Sequence, residues 1–159
     1  MLDRILDYLE HRSAAPEAEA HCDGPCGVYD PASARVAAEA VLSLTKKILA
    51  LTPPSPGDQA AGVAFLNTVT RYVTIKEEQA HLAKKELLIL WTDYFKPDHL
   101  KDVPNLHEMF WNANKQVSKV KASTDLADAR TLLDQIDEID AAWRATGGNE
   151  KTRVAKATA

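Results

Sequence analysis

The sequence predicts an all-α fold, an antiparallel up-down four-helix bundle, on three observations. Apolar residues recur with a period near 3.6 and never with a sustained period of two. Four such stripes of similar length are joined by short, Pro- and Gly-containing connections, the arrangement of a bundle. Aromatic residues make up only 6% of the chain and glycines number six, which argues against a sandwich or barrel. At 159 residues the chain fits one domain, and such a length buries enough surface to need no disulfide staples.

Helix one is expected from about Pro31 to Leu51, with Asp30-Pro31 as cap and first-turn proline. Its inner stripe reads Val36, Ala40, Val41, Leu44 and Ile48. The Pro-rich segment from Thr52 to Gly57 ends it. Helix two begins near Asp58 and extends to about Tyr94. Phe65, Leu66, Val69, Tyr72 and Val73 mark its first half, and Leu82, Leu87, Leu90, Trp91 and Tyr94 its second. Pro97 and Pro104 frame an irregular link. Helix three starts near Asn105, with Leu106, Met109, Phe110, Ala113, Val117 and Val120 inward. Helix four is capped within Ser123-Thr124-Asp125 and carries Leu126, Leu133, Ile136, Ile139, Ala142 and Trp143. Gly147-Gly148 closes it, which leaves 148–159 as a frayed tail outside a bundle spanning 30–147.

Charge narrows the function. Nineteen Lys and Arg against 23 Asp and Glu give a net charge of −4, the wrong sign for a protein that binds nucleic acid by releasing counterions. No apolar run approaches the roughly 20 residues that span a bilayer. Residues 1–20 carry Leu2, Ile5, Leu6 and Leu9 at helical spacing, and end in a small-residue cleavage pattern, Ala18-Glu19-Ala20. Asp3, Asp7 and Glu10 stand where a secretory signal requires a basic start and an unbroken apolar core. The segment reads as a leader removed on maturation, and the chain as cytoplasmic. Two unpaired thiols agree with a reducing compartment.

Chemistry concentrates in residues 21–29, His21-Cys22-Asp23-Gly24-Pro25-Cys26-Gly27-Val28-Tyr29. Cys22 and Cys26 lack the second ligand pair of a zinc finger and the two-residue spacing of a thioredoxin motif. Cleavage after Ala20 makes His21 the amino terminus. Its amine and the deprotonated amide of Cys22 then close a five-membered chelate, the Cys22 thiolate closes the next ring, and Pro25 turns the Cys26 thiolate back to the fourth corner. Such a planar N2S2 set suits Ni(II), with Cu(II) as competitor, and leaves the His21 imidazole over as an axial donor. Thiolates and an anionic amide stabilise the higher oxidation state, so one-electron chemistry on a small molecule comes within reach. Tyr29 places a phenol near the open face. A metal carrier with the same chelate, and a thiol switch that forms a Cys22–Cys26 disulfide, are the competing readings.

The nine residues closely resemble the nickel hook of the nickel-dependent superoxide dismutases. The resemblance continues through Asp30-Pro31-Ala32 and reappears in Leu90-Trp91-Thr92-Asp93-Tyr94-Phe95-Lys96-Pro97. It implies a four-helix subunit behind an N-terminal metal-binding hook, one nickel ion per subunit, a homohexamer, and a leader-cleaving peptidase. It further implies dismutation of superoxide to O2 and H2O2 through a Ni(III)/Ni(II) couple. His21, Cys22 and Cys26 are the implied metal ligands; Asp23, Tyr29 and Tyr94 order the hook and control anion access; Asp93 and Lys96 dock it. Pro25 is implied to follow a cis peptide bond. Two positions depart from the best-known members, where a glutamate and an arginine support the axial imidazole. Ala37 and Gln79 stand there, with Glu39, Gln79 or His81 as substitutes.

Overall fold

The computed structural model describes residues 27–148. These form α1 (Ala32–Leu49), α2 (Gln59–Ile89), a π-helical turn (Leu90–Tyr94), a 3-10 turn (Pro97–Lys101), α3 (Leu106–Ala122) and α4 (Leu126–Ala145). No strand occurs among the described residues. Each helix packs on its neighbour in sequence, and α1 returns to pack on α4, which closes a four-sided bundle. Val41, Leu87, Phe110, Leu132, Ile136 and Ile139 fill its centre.

The helix starts follow the local chemistry. Asp30 Oδ1 accepts from the Ala32 N–H at 2.7 Å, Asp58 Oδ1 from the Ala61 N–H at 3.0 Å and Asp125 Oδ1 from the Ala127 N–H at 2.8 Å. Each satisfies a first-turn donor that has no partner within its helix. At the far end of α4, Gly147 adopts φ +98°. There the Gly148 N–H reaches the Trp143 carbonyl at 2.9 Å and the Gly147 N–H that of Arg144 at 3.2 Å. This is the left-handed C-terminal cap that glycine favours, and a Cβ on Gly148 would collide with the Trp143 ring.

Three expectations shift. The buried stripe of α1 is Ala34, Ala37, Ala38, Val41, Leu44 and Thr45, whereas Val36 is 65% exposed. Alanines let α1 approach its neighbours closely, so the face richest in small residues turns inward. Along α2 the expected first-half stripe is not buried: Leu66 is 64% exposed and Val73 is also exposed, while Phe65, Val69 and Tyr72 are half-buried. Helix two is also not α-helical to Tyr94; its last five residues widen into a π turn.

The sequence pattern gave no hint of Lys76, a lysine only 3% exposed. Its Nζ donates to the carbonyls of Val120 (2.9 Å), Lys121 (3.1 Å) and Ser123 (2.7 Å), the free carbonyls at the end of α3. The ammonium thus caps α3 from α2 and spends all three protons on it. Burial lowers its pKa below the ordinary lysine value, and the neighbouring Glu77 carboxylate opposes that shift.

Candidate active site

One end of the bundle holds a cleft of about 490 Å³ lined by Gly27, Tyr29, Asp93, Tyr94, Lys96, His99, Thr146 and Gly147. The elements converge there for local reasons. The π turn inserts extra residues per turn, the device that often marks functional positions, and it carries Asp93 and Tyr94. Phe95 and Lys96 then become extended, and Pro97 starts a 3-10 turn that brings His99 back toward Tyr94. The glycine cap of α4 supplies the opposite rim.

Tyr94 and Tyr29 face each other with ring centroids 6.0 Å apart at 57°. The Tyr94 hydroxyl lies 3.3 Å from the Trp143 carbonyl, 3.2 Å from the Thr146 carbonyl and 3.2 Å from Thr146 Oγ1. It is therefore pinned to the end of α4. His99 Nδ1 accepts from the Lys96 N–H at 3.3 Å, so the neutral ring carries its proton on Nε2. Its ring lies 5.6 Å from that of Tyr94. Asp93 Oδ1 accepts from Thr92 Oγ1 at 2.9 Å, while Oδ2 is buried without a hydrogen-bond partner. A buried carboxylate oxygen left unpaired needs a donor to explain it.

The chain enters this cleft from its N-terminal side at Gly27, which takes φ +69°, the left-handed region that side chains disfavour. His21, Cys22, Asp23 and Cys26, and with them the Gly24-Pro25 bond and the leader, lie outside the described residues. Among the described residues no three His, Cys, Asp or Glu side chains gather into a metal site. The cleft therefore brings together Tyr29, Tyr94, Asp93 and Lys96, with Gly27 at its edge. His99, Thr146 and Gly147 line it although the sequence reading missed them. Their signals were present as a proline-initiated turn and a helix-stop glycine, both taken for punctuation.

The family model for nickel-containing superoxide dismutase matches residues 16–146. The chain belongs to the nickel-containing superoxide dismutases. Relatives agree: it is 46% identical over 121 residues to the nickel superoxide dismutase of Streptomyces seoulensis, covering 76% of this chain and 83% of that one. It is 41% identical over the same length, with the same coverage, to that of Streptomyces coelicolor. The structure of a native nickel superoxide dismutase superposes with a TM-score of 0.68 at 38% identity, over 80% of this chain and 99% of the other. One with nickel ligation of the oxidised state gives 0.67 at 43%, over 79% and 97%. As a family member the chain is an oxidoreductase whose metal is nickel.

The described residues fit that metal. His21, Cys22 and Cys26, residue types that suit nickel, precede Gly27 in the sequence, and the orphaned Asp93 Oδ2 is a hydrogen-bond acceptor at the cleft. Of the two departures from the family pattern, Ala37 is buried in α1 and Gln79 is half-buried on α2. Glu39 is ion-paired with Arg35 at 3.1 Å, so that carboxylate already has a partner.

Proposed function

We propose that the mature chain begins at His21 and dismutates superoxide at a nickel ion held by its first six residues. The cleft carries this reading, because two tyrosines, an unpaired buried carboxylate oxygen and a lysine stand where the hook segment enters the bundle. The His21 amine and imidazole, the Cys22 amide nitrogen and thiolate, and the Cys26 thiolate hold the metal. When bound, nickel supplies a Ni(III)/Ni(II) couple that takes an electron from one superoxide and returns it to a second, giving O2 and, with two protons, H2O2.

The remaining work belongs to the chain. The Lys96 ammonium at the mouth of the cleft draws in a small anion, and proximity then favours its capture between Tyr29 and Tyr94. Asp23 orders the hook, and the Asp93 carboxylate accepts hook N–H groups and so holds it against the π turn. The phenols stand within the cleft as proton carriers for the peroxide product.

Before cleavage His21 is acylated and lacks its amine, so the precursor binds nickel weakly and is inactive. Removal of 1–20 by a peptidase is thus the activating step, in the cytoplasm. No helix among the described residues is long and apolar enough to cross a membrane. Homohexamer assembly covers the exposed Val63, Leu66 and Val73, since apolar surface of this kind marks contact surfaces.

The test is dismutase turnover against nickel content for the chain beginning at His21. One nickel per subunit with rapid turnover is expected. Nickel without turnover would make the protein a carrier; separately, an uncut mass with a Cys22–Cys26 disulfide for the protein expressed from its full-length sequence would make it a thiol switch.

A further inference from the structure

A second concavity, a groove of about 680 Å³, runs between α2 and α3, away from the cleft. His81, Lys84, Lys85 and Leu88 line it from one face of α2 and Thr92 from the π turn that continues it, with Ile89 at its floor and Ser118 and Lys121 across from them on α3. The spacing is that of a single helical stripe. No acid lines the groove. Lys84 Nζ donates to Ser118 Oγ at 3.0 Å, and Lys121 meets Glu77 at 3.3 Å. Leu88 is 40% exposed and Ile89 beside it is buried. The groove therefore has an apolar floor and a basic rim, with Glu77, outside the lining, as the acid paired to a rim lysine.

Residues 2–10 have the complementary pattern. At 100° per residue, Leu2, Ile5, Leu6 and Leu9 form one apolar stripe, and Asp3, Asp7 and Glu10 run along one edge of it. Arg4, Tyr8 and Arg12 fall on the other side. From His81 to Thr92 the groove measures about 16 Å along the helix axis, which matches a helix of about ten residues. It ends at Thr92, beside Asp93 of the cleft, where the chain emerges at Gly27. Residues 11–26 can span up to about 50 Å when extended, so the leader reaches the groove of its own chain.

We propose that the leader docks in cis as an amphipathic helix in the groove between α2 and α3. Its leucines lie on Leu88 and Ile89, and its acids face the lysine rim. The proposal rests on the reading of residues 1–20 as a leader. The docked helix leaves residues 13–20 as a tether presenting the Ala20–His21 bond at the bundle surface. Cleavage turns an intramolecular contact into a bimolecular one, and the short peptide then leaves because the high effective concentration of the tether is gone.

Hydrogen exchange on the full-length chain tests this. The amides of residues 2–10 are expected to exchange at least tenfold more slowly than in the free leader peptide. Lys84→Glu with Lys85→Glu should remove that protection, and adding Asp3→Lys with Asp7→Lys should restore it, which a folding defect would not do. Exchange of 2–10 at the free-peptide rate, or protection indifferent to the double charge reversal, overturns the proposal. Protection that disappears on dilution together with a fall in particle mass assigns the groove to a neighbouring copy and also overturns it. Intact mass scores leader removal separately: a leader that stays protected but is never cut leaves docking standing and refutes maturation by cleavage.

Discussion

The two halves of α2 carry similar apolar stripes and meet different fates. In the half from Lys76 onward, Ala80, Ala83, Leu87 and Ile89 are buried against the other helices, and the stripe runs into the π turn that builds the cleft. In the half before it, Val63, Leu66 and Val73 remain exposed. At 31 residues α2 is about 46 Å long, whereas α3 has 17 residues. The part of α2 that overhangs its shorter neighbour keeps a helix pattern with only α1 to cover it. A period of 3.6 thus reports that a helix forms and which face is apolar; what covers that face depends on the lengths of the neighbours.

The largest effect that sharpens this contrast is in the inner half's surroundings. Phe110, fully buried against Trp91 and Phe95, should cost about 3–5 kcal/mol when changed to alanine. Leu66→Ala in the outer half should stay within about 0.5 kcal/mol of the parent. Urea midpoints compare the two, and equal losses would break the distinction. Next comes Lys76→Met, at the boundary between the halves. It strips three carbonyls of α3 of a charged donor, with an expected loss of about 1.5–3 kcal/mol, and amides near Val120 should exchange faster.

A smaller effect is expected at the cleft itself. Tyr94→Phe removes a hydroxyl that ties the π turn to the end of α4, for a loss of about 1 kcal/mol with nickel content unchanged. The smallest concerns the α3–α4 junction, remote from both halves. Lys119 lies 2.6 Å from Asp128 and, as its hydrogen-bond partner, holds that carboxyl below the ordinary carboxylate value of 3.8. A depressed folded pKa gives stability that is present above the unfolded value and lost as pH falls through the folded one. Asp128→Asn should therefore lower the melting temperature slightly at neutral pH and converge with the parent in acid.

Much of the architecture was legible because it is written locally. Asp58, Asp125 and Gly147 announce helix ends through their own side chains or lack of them, and the residues of α3 and α4 face inward as their spacing requires. Val36 misled because the choice between two faces of α1 is made by how closely the partners approach. Lys76 and His99 were illegible for a related reason. The first acts on carbonyls more than forty positions away in the chain, and the second owes its place to a turn that no periodicity describes. The family was legible from the residue types and spacing of 21–29, while the cleft beside Gly27 was not, because it depends on the π turn and the α4 cap meeting at one end.

The most direct test of the account compares the chain beginning at His21 with the same chain preceded by one alanine, measuring bound nickel and dismutase activity together. An amine-anchored centre predicts one nickel per subunit and full activity in the first, and loss of both in the second. Equal nickel and equal activity in the two would contradict it.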